Sequence, residues 1–331
     1  MNGKIGIAVI GAGKFARWSY LPEIVRMDSL SLKAIVNRTE ESAQRVCNEF
    51  LSEYHTTDLD RVLKDPQIDL VLIATRHELH KDQAIAAARA GKHMILEKPM
   101  ALTIEDAIDI AREVQRSGVK FVLGFNRRFS SHTERLRSMV AQTGRPVMVM
   151  QRWQEPPLPS DFWHYDPVRG RGRILGMAIH FMDFMCFLLG SRPVEVYCNG
   201  GALRDRRRTT EDTTSIVLRF PCDTIATIVH GDYGAGSFSN ERVEVYLSGQ
   251  VAVIEDFESF QIYENERCTS ETYTDLGYRG TLESMLAAIG EEKPLPIDVN
   301  DGIASMVLFE ACRESIKDKK AVFPEFERYL I

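Results

Sequence analysis

Short apolar runs alternate with amphipathic stretches along the first 124 residues. Ile5 to Ile10 is apolar and stops at Gly11, and Lys14 to Met27 follows with one hydrophobic face, which predicts a strand, a turn and a helix. The pattern repeats as strand and helix at Leu32 to Val36 and Glu40 to Phe50, Leu70 to Ile73 and Glu78 to Ala90, and His93 to Leu96 and Ile104 to Ser117, closing on Lys120 to Gly124. Five strands with four intervening helices predict a doubly wound parallel sheet, because parallel strands need crossover connections. Beyond residue 125 the texture changes. Helical pieces at Ser131 to Gln142 and Ile174 to Leu189 sit among β-like runs at Val147 to Trp153, Val194 to Asn199, Thr213 to Phe220, Thr224 to His230, Glu241 to Leu247 and Val251 to Asp256. Strands that follow strands predict an α+β domain with a large, mainly antiparallel open sheet. A last helix, Gly302 to Lys317, follows Pro294 to Pro296, and no internal repeat is visible.

Composition narrows the function. With 331 residues, 44% hydrophobic and 27% charged, the chain is long enough for two cores. Its net charge of −6 argues against a dedicated nucleic-acid binder, whose footprint is strongly basic. The apolar runs fall far short of the roughly 20 residues that cross a bilayer, and Met1 to Ile10 runs directly into a glycine loop without the features of a secretory signal, so a cytoplasmic protein is expected. Cys47, Cys186, Cys198, Cys222, Cys268 and Cys312 contain no CxxC pair, which fits buried or incidental thiols better than zinc or a disulfide framework. No metal is expected.

Gly11-Ala12-Gly13-Lys14-Phe15-Ala16 matches G-x-G-x-x-A in its required setting, after a strand and opening a helix, where side chains would keep the backbone from a pyrophosphate. Residues 1–124 are therefore expected to form an α/β Rossmann domain for a dinucleotide, and 125–331 an α+β substrate-binding and oligomerisation domain. An NAD enzyme usually carries an acid after the second strand to bond the ribose hydroxyls; here Asn37-Arg38 stands instead. Asn37 removes the charge that repels a 2′-phosphate, and Arg38 supplies a planar donor fork. NADP(H) is favoured, with NAD(H) the alternative if Arg38 stacks on the adenine or lies solvated. Ala74-Thr75, His77 and His80 follow the third predicted strand, and Glu97-Lys98-Pro99 follows the fourth. Open α/β sheets bind ligands at those carboxyl ends, so these groups should face the nicotinamide end of the cofactor.

Gly11 to Ala16, Ala74-Thr75 with His80, Glu97-Lys98-Pro99, and a downstream helix with His180 and Asp183 together resemble the Gfo/Idh/MocA family of glucose-fructose oxidoreductase and inositol dehydrogenase relatives, over nearly the whole chain. The resemblance implies a Rossmann domain joined to an α+β domain whose open sheet supports a homodimer or homotetramer. It also implies that Lys98 touches substrate and nicotinamide and that His180 transfers the proton. The chemistry is coherent, because oxidising a secondary alcohol removes a hydride from carbon and a proton from the hydroxyl, so a base near neutrality and a cation beside the developing alkoxide both lower the barrier. One departure matters. Typical members carry an Asp four residues before the histidine, where this chain has Gly176. The strings 124–130, 162–167 and 172–176 look closer to a less characterised branch, which tends to have a Glu where Met177 stands.

Several residues could compensate. Trp163, His164 and Tyr165 lie in a segment bounded by Pro156, Pro157, Pro159 and Pro167, a rigid loop that could present aromatic faces to a sugar or anchor the core. Arg169, Arg171 and Arg173, with Asn126 and Arg127 at the start of the second domain, suit an anionic substrate such as a sugar nucleotide, or lie solvated. Asp183, three residues on along the helix, could assist His180 or serve as a cap or packing residue, and Arg204 to Arg208 reads as surface. The expected function is an oxidoreductase of a hydroxyl or keto carbon in a sugar, sugar nucleotide or cyclitol. The alternatives are an NAD-retaining glycosidase, which would oxidise and re-reduce a sugar with no net cofactor change, and a non-catalytic dinucleotide- or sugar-binding regulator.

Overall fold

The computed structural model describes residues 3–144 and 147–331 and, for Cys222, the backbone alone. Met1, Asn2 and the Cys222 thiol, all part of the sequence reading, lie outside the described residues. The chain divides into two compact units: one runs to Asn126 and adds Tyr278–Ile303 and Tyr329–Ile331, and the other comprises Arg127–Gly277 and Ala304–Arg328. A single cut after residue 124 misses this return. Its physical basis is an aromatic cluster in the first unit, where the Tyr278 ring lies 4.9 Å from Tyr20, 5.5 Å from Trp18 and 6.0 Å from Phe15.

The first unit begins β1 (Ile5–Ile10), α1 (Lys14–Trp18), α2 (Leu21–Arg26), β2 (Leu30–Val36) and α3 (Glu40–Phe50). It continues with β3 (Tyr54–Thr56), α4 (Leu59–Leu63), β4 (Leu70–Ile73), α5 (His80–Arg89), β5 (His93–Leu96), α6 (Ile104–Ser117) and β6 (Phe121–Leu123). The sheet is parallel, six-stranded and ordered β3-β2-β1-β4-β5-β6, the doubly wound order. The five expected strands are therefore one short, because β3 is three residues of Tyr, His and Thr with no apolar run to mark it. The helix expected over Lys14 to Met27 is two pieces. Pro22 opens α2 at its first turn, where a missing amide is tolerated, whereas a continuous ladder through it would lose a hydrogen bond. Strands β1, β4 and β6 are buried throughout, as strands covered on both faces must be.

The second unit contains α7 (Ser131–Thr143), β7 (Met148–Gln154), a π-helical turn at Ile174–Ala178, α8 (Ile179–Leu189), β8 (Glu195–Gly201), β9 (Thr213–Arg219), β10 (Ile225–Gly231) and β11 (Glu241–Leu247). Next come β12 (Gln250–Glu255), β13 (Ser259–Glu264) and β14 (Arg267–Thr272). Helix α9 (Tyr278–Gly290) belongs to the first unit, and α10 (Val299–Asp318) spans the change at residue 303. The sheet has eight strands in the order β14-β13-β12-β11-β7-β10-β9-β8, antiparallel except for β7 with β10. Strands β13 and β14 escape the sequence pattern because β14, the edge strand, is exposed along its whole length and β13 beside it buries only Phe260. One face of the sheet buries Val149, Ile216, Leu218, Ile228, Val243 and Val245, while the other leaves Met148, Met150, Tyr197, Val217, Ile225 and Val229 exposed.

Arginines of this unit serve its interior. Arg127 meets Glu241 at 2.7 Å and lies over the Phe257 ring, and the Arg128 Nε donates to Asp183 at 2.8 Å. Asp183 is thus a buried ion-pair partner and not a helix cap. Arg171 pairs with Glu310 at 3.1 Å, while Arg173 is buried, so the solvated reading holds for Arg169 alone of the three. The run from Arg204 is also less superficial than expected: Arg204 donates to the Leu158 carbonyl, and Arg208 donates to Ser160 O at 3.0 Å and covers the Tyr165 ring at 3.8 Å. Together these arginines pin the proline-rich loop.

Candidate active site

Strand register gathers the first set of groups. Ile10 pairs with Val36 and with Ile73, and Ile73 pairs with Leu96. The residues that follow, Gly11, Asn37, Ala74 and Glu97, therefore emerge in one row at the carboxyl edge of the sheet, on either side of the point where strand order reverses. Gly11 N–H donates to Val36 O and Ala74 N–H to Ile10 O, each at 2.8 Å. Gly11 has φ +86°, and a Cβ there would stand 2.6 Å from Thr75 Cγ2 and 2.7 Å from Ala74 O, so no other residue fits. A Cβ on Gly13 would meet nothing nearer than Gly11 O at 4.0 Å. That bare, exposed backbone has room to receive a pyrophosphate, with the buried Ala16 holding α1 against the unit and Lys14 exposed beside it. Phe15 joins the aromatic cluster around Tyr278.

At one end of the row, Asn37 Nδ2 donates to Ser42 Oγ at 3.0 Å, and Arg38 is exposed. Thr39 caps α3 by accepting from Ser42 N. Toward the other end, the buried His80 turns Nδ1 to Pro99 O at 2.7 Å and Nε2 to Thr75 O at 3.2 Å, tying the turn after β4 to the turn that carries Lys98. Burial outweighs those two carbonyls and lowers the imidazole to a pKa of about 4, so His80 is neutral in the folded protein. His77 is buried at the start of the same segment, and Thr75 Oγ1 donates to Gln83 at 2.6 Å.

Glu97 points inward. A Cβ on Gly124 would lie 2.4 Å from its Oε1, so the glycine after β6 is what leaves room for it. Burial raises its carboxyl to about 7, against the opposing pull of the Lys98 charge. Lys98, half-buried, follows in a cis peptide bond to Pro99. The motif marks Glu97 in the sequence, but not its neighbour Tyr20, whose hydroxyl faces the buried carboxyl and which no local pattern singles out.

In the second unit His180 is buried on the first turn of α8, directly after the π-helical turn, a feature that often accompanies functional sites. Tyr165 is buried and its hydroxyl donates to Asp232, Trp163 is half-buried, and Arg127 is held by Glu241. Asn126 is buried at the end of the first unit. Among the described residues no group of three or more His, Cys, Asp or Glu side chains is gathered so as to hold a metal, and no helix is long and apolar enough to cross a membrane.

Residues 5–125 match the oxidoreductase family with an NAD-binding Rossmann fold, Gfo/Idh/MocA, and residues 133–252 match the C-terminal domain of that family. The chain belongs to the Gfo/Idh/MocA family. Among its relatives, a myo-inositol 2-dehydrogenase of Thermotoga maritima is 26% identical over 332 residues, covering 96% of this chain and 97% of the relative. A 1,5-anhydro-D-fructose reductase of Ensifer adhaerens is 29% identical over 225 residues, 66% of each chain. The fold is shared with an aldose-aldose oxidoreductase of Caulobacter crescentus solved with glycerol, at a TM-score of 0.87 and 22% identity, covering 97% of this chain and 99% of that one. Membership in this Gfo/Idh/MocA family gives residues 5–125 an NAD-binding Rossmann fold and with it a nicotinamide cofactor.

Two expectations follow for the Gfo/Idh/MocA site. Gly13→Ala puts a methyl into the open space and nowhere else, so its melting temperature should stay within about 2 °C of wild type, while the dissociation constant for NADP+, measured by titration calorimetry, rises at least about tenfold; Gly11→Ala should lose both binding and stability. Equal stability in the two variants would refute this assignment. Glu97 keeps its proton to about 7 when folded against an ordinary 4.5 when unfolded, so unfolding releases that proton between those values. Its burial therefore costs stability increasingly as pH rises through that window, and fully above it. Glu97→Gln should melt about 3 °C or more above wild type at pH 8, the gap closing near pH 4, by scanning fluorimetry.

Proposed function

We propose that this protein is an NADP(H)-preferring oxidoreductase of a hydroxyl or keto carbon in a sugar, sugar nucleotide or cyclitol, with Lys98 and His180 acting on the reacting group. The observation that carries the reading is the single row of Gly11, Asn37, Ala74 and Glu97-Lys98 at the carboxyl edge of the parallel sheet, which sets a cation at one end of a dinucleotide's path. The named relatives, a cyclitol dehydrogenase and a sugar reductase, support the substrate class.

The nicotinamide cofactor supplies or accepts the hydride; the chain's own residues handle charge and proton. The Lys98 ammonium stabilises the alkoxide that develops as an alcohol loses its proton, and His180 takes that proton; in reduction His180 returns it to the oxygen while Lys98 polarises the carbonyl. His80 holds Pro99, and through it the turn that aims Lys98. Asn37 and Arg38 support the preference for NADP(H): the first is uncharged and occupied with Ser42, and the second offers an exposed guanidinium to a 2′-phosphate. Self-association through the exposed apolar face of the second sheet belongs to the same reading, and light scattering measures it directly.

A screen of myo-inositol, 1,5-anhydro-D-fructose, aldoses and sugar nucleotides with both cofactors, followed at 340 nm, tests the activity. Lys98→Met and His180→Ala should each lower kcat by about a hundredfold or more with little change in cofactor affinity; wild-type turnover in both variants removes these residues from the reaction. Glycoside cleavage at constant absorbance would indicate a hydrolase, and tight dinucleotide binding without turnover a regulator. For the cofactor, Arg38→Ala should weaken NADP+ about tenfold relative to NAD+; an unchanged ratio of dissociation constants defeats the NADP(H) preference.

A further inference from the structure

Gly176 stands one helical turn before His180, on the side of the helix that residues four apart share. Its bare backbone is covered by another side chain. A Cβ placed on Gly176 would lie 2.6 Å from Nδ1 of His164, 3.0 Å from Cε1 and 3.3 Å from Cγ. The imidazole of His164 therefore fills the volume that any side chain at 176 would need. The loop is shaped to bring it there. Gly172 N–H donates to His164 O at 2.8 Å, and a Cβ on Gly170 would fall 2.3 Å from the His164 Cα, so the chain doubles back closely on itself.

The ring is locked as well as placed. Trp163 stands edge-on to it at 4.1 Å, and Arg173 Nη1 meets its Nδ1 at 2.8 Å. Arg173 has a side chain only 2% exposed and is itself fixed, its Nε donating to Asp232 at 3.2 Å and its Nη2 to Glu155. Asp232, fully buried, also accepts from the Tyr165 hydroxyl. A guanidinium has no lone pair to offer, so Nδ1 must be the acceptor, and the imidazole is the neutral tautomer protonated at Nε2.

We infer that His164 is the positioning residue for His180: positions 164 and 176 compete for one place beside the π-helical turn, and this chain fills it with a neutral, Arg173-held imidazole where a side chain at 176 would otherwise stand. The functional half of this statement rests on the oxidoreductase reading; the structural half does not. His180 then has its turn braced from outside the helix, by a ring that adds no negative charge at that place.

Four variants test it: Gly176→Asp, His164→Ala, His164→Ala with Gly176→Asp, and His164→Asn, which keeps an acceptor for Arg173. Gly176→Asp should melt at least about 5 °C below wild type, and in the His164→Ala background the same carboxylate should cost less than about 2 °C. Additive losses would overturn the competition for one place. The 15N shifts of the His180 ring, assigned with His180→Gln, should show a changed tautomer ratio in both His164→Ala and His164→Asn; an unchanged ratio in both means that His164 does not position His180. These two readouts need no substrate, so they stand even if the 340 nm screen finds no turnover. For a compound that the screen does find, His164→Asn should lower kcat at least about tenfold with the KM for NADP(H) within twofold, and wild-type kcat would equally overturn the role.

Discussion

The edge of the parallel sheet depends on one close approach. Gly11 leaves β1 with a left-handed φ, gives its N–H to Val36 and lies against the Ala74 carbonyl with no room for a methyl group. That contact lets β1, β2 and β4 end level with one another, and the row is counted from where they end: Gly13 falls in open space, Asn37 just past β2, Thr75 past β4 and Lys98 past β5. His80 extends the same constraint sideways by joining Thr75 to Pro99. Burial keeps the ring neutral, so it carries one N–H and donates to one of these two carbonyls, the shorter contact being that to Pro99.

The second unit uses a different means of fixing position, which is buried charge. Arg127 with Glu241, Arg128 with Asp183, and Arg173 with Asp232 are all pairs in which both side chains are under about a tenth exposed. Removing two charges from water costs several kcal/mol per ion, and only good geometry recovers it. Such pairs are therefore weak evidence for stability, but each demands one arrangement of its neighbours. Arg173 shows the effect most fully, since its nitrogens reach Asp232, Glu155 and His164 and thereby hold the end of β10, the segment after β7 and the aromatic loop together.

Most of this architecture was legible along the chain. Apolar period and glycine punctuation mark β1, α3, β4, α6 and β11 because those elements bury one continuous face or strand, and the Gly11 to Ala16 motif can be placed because a strand precedes it and a helix follows. What stayed hidden has physical causes. Strand β3 is too short and too polar to show a period, β14 is exposed on both faces, and α9 joins the first unit through aromatic contacts that no local pattern encodes. The π-helical turn reads as ordinary helix, because the same side chains suit both. Gly176 could be recognised as an absent carboxylate, whereas His164 as the group lying over it is a contact across a folded loop and leaves no trace in spacing.

The arginines show how far composition alone can mislead. A chain of net −6 with Arg127 and Arg169 to Arg173 near the start of its second unit invites the idea of a positive surface built there for anionic ligands. Arg127 and Arg173 are instead neutralised within the interior, and Arg171 meets Glu310. Positive charge that remains exposed near ligand-facing backbone belongs to the first unit, on Lys14 and Arg38 along the glycine row, with Lys98 half-buried at its end. Under the proposed function those are the places for a dinucleotide's phosphates and for a developing alkoxide. Of the arginines near the start of the second unit, Arg127, Arg171 and Arg173 are engaged with carboxylates, and Arg169 is exposed. Buried charge in the second unit therefore fixes its interior, and of these cations only Lys14, Arg38 and Arg169 stay exposed.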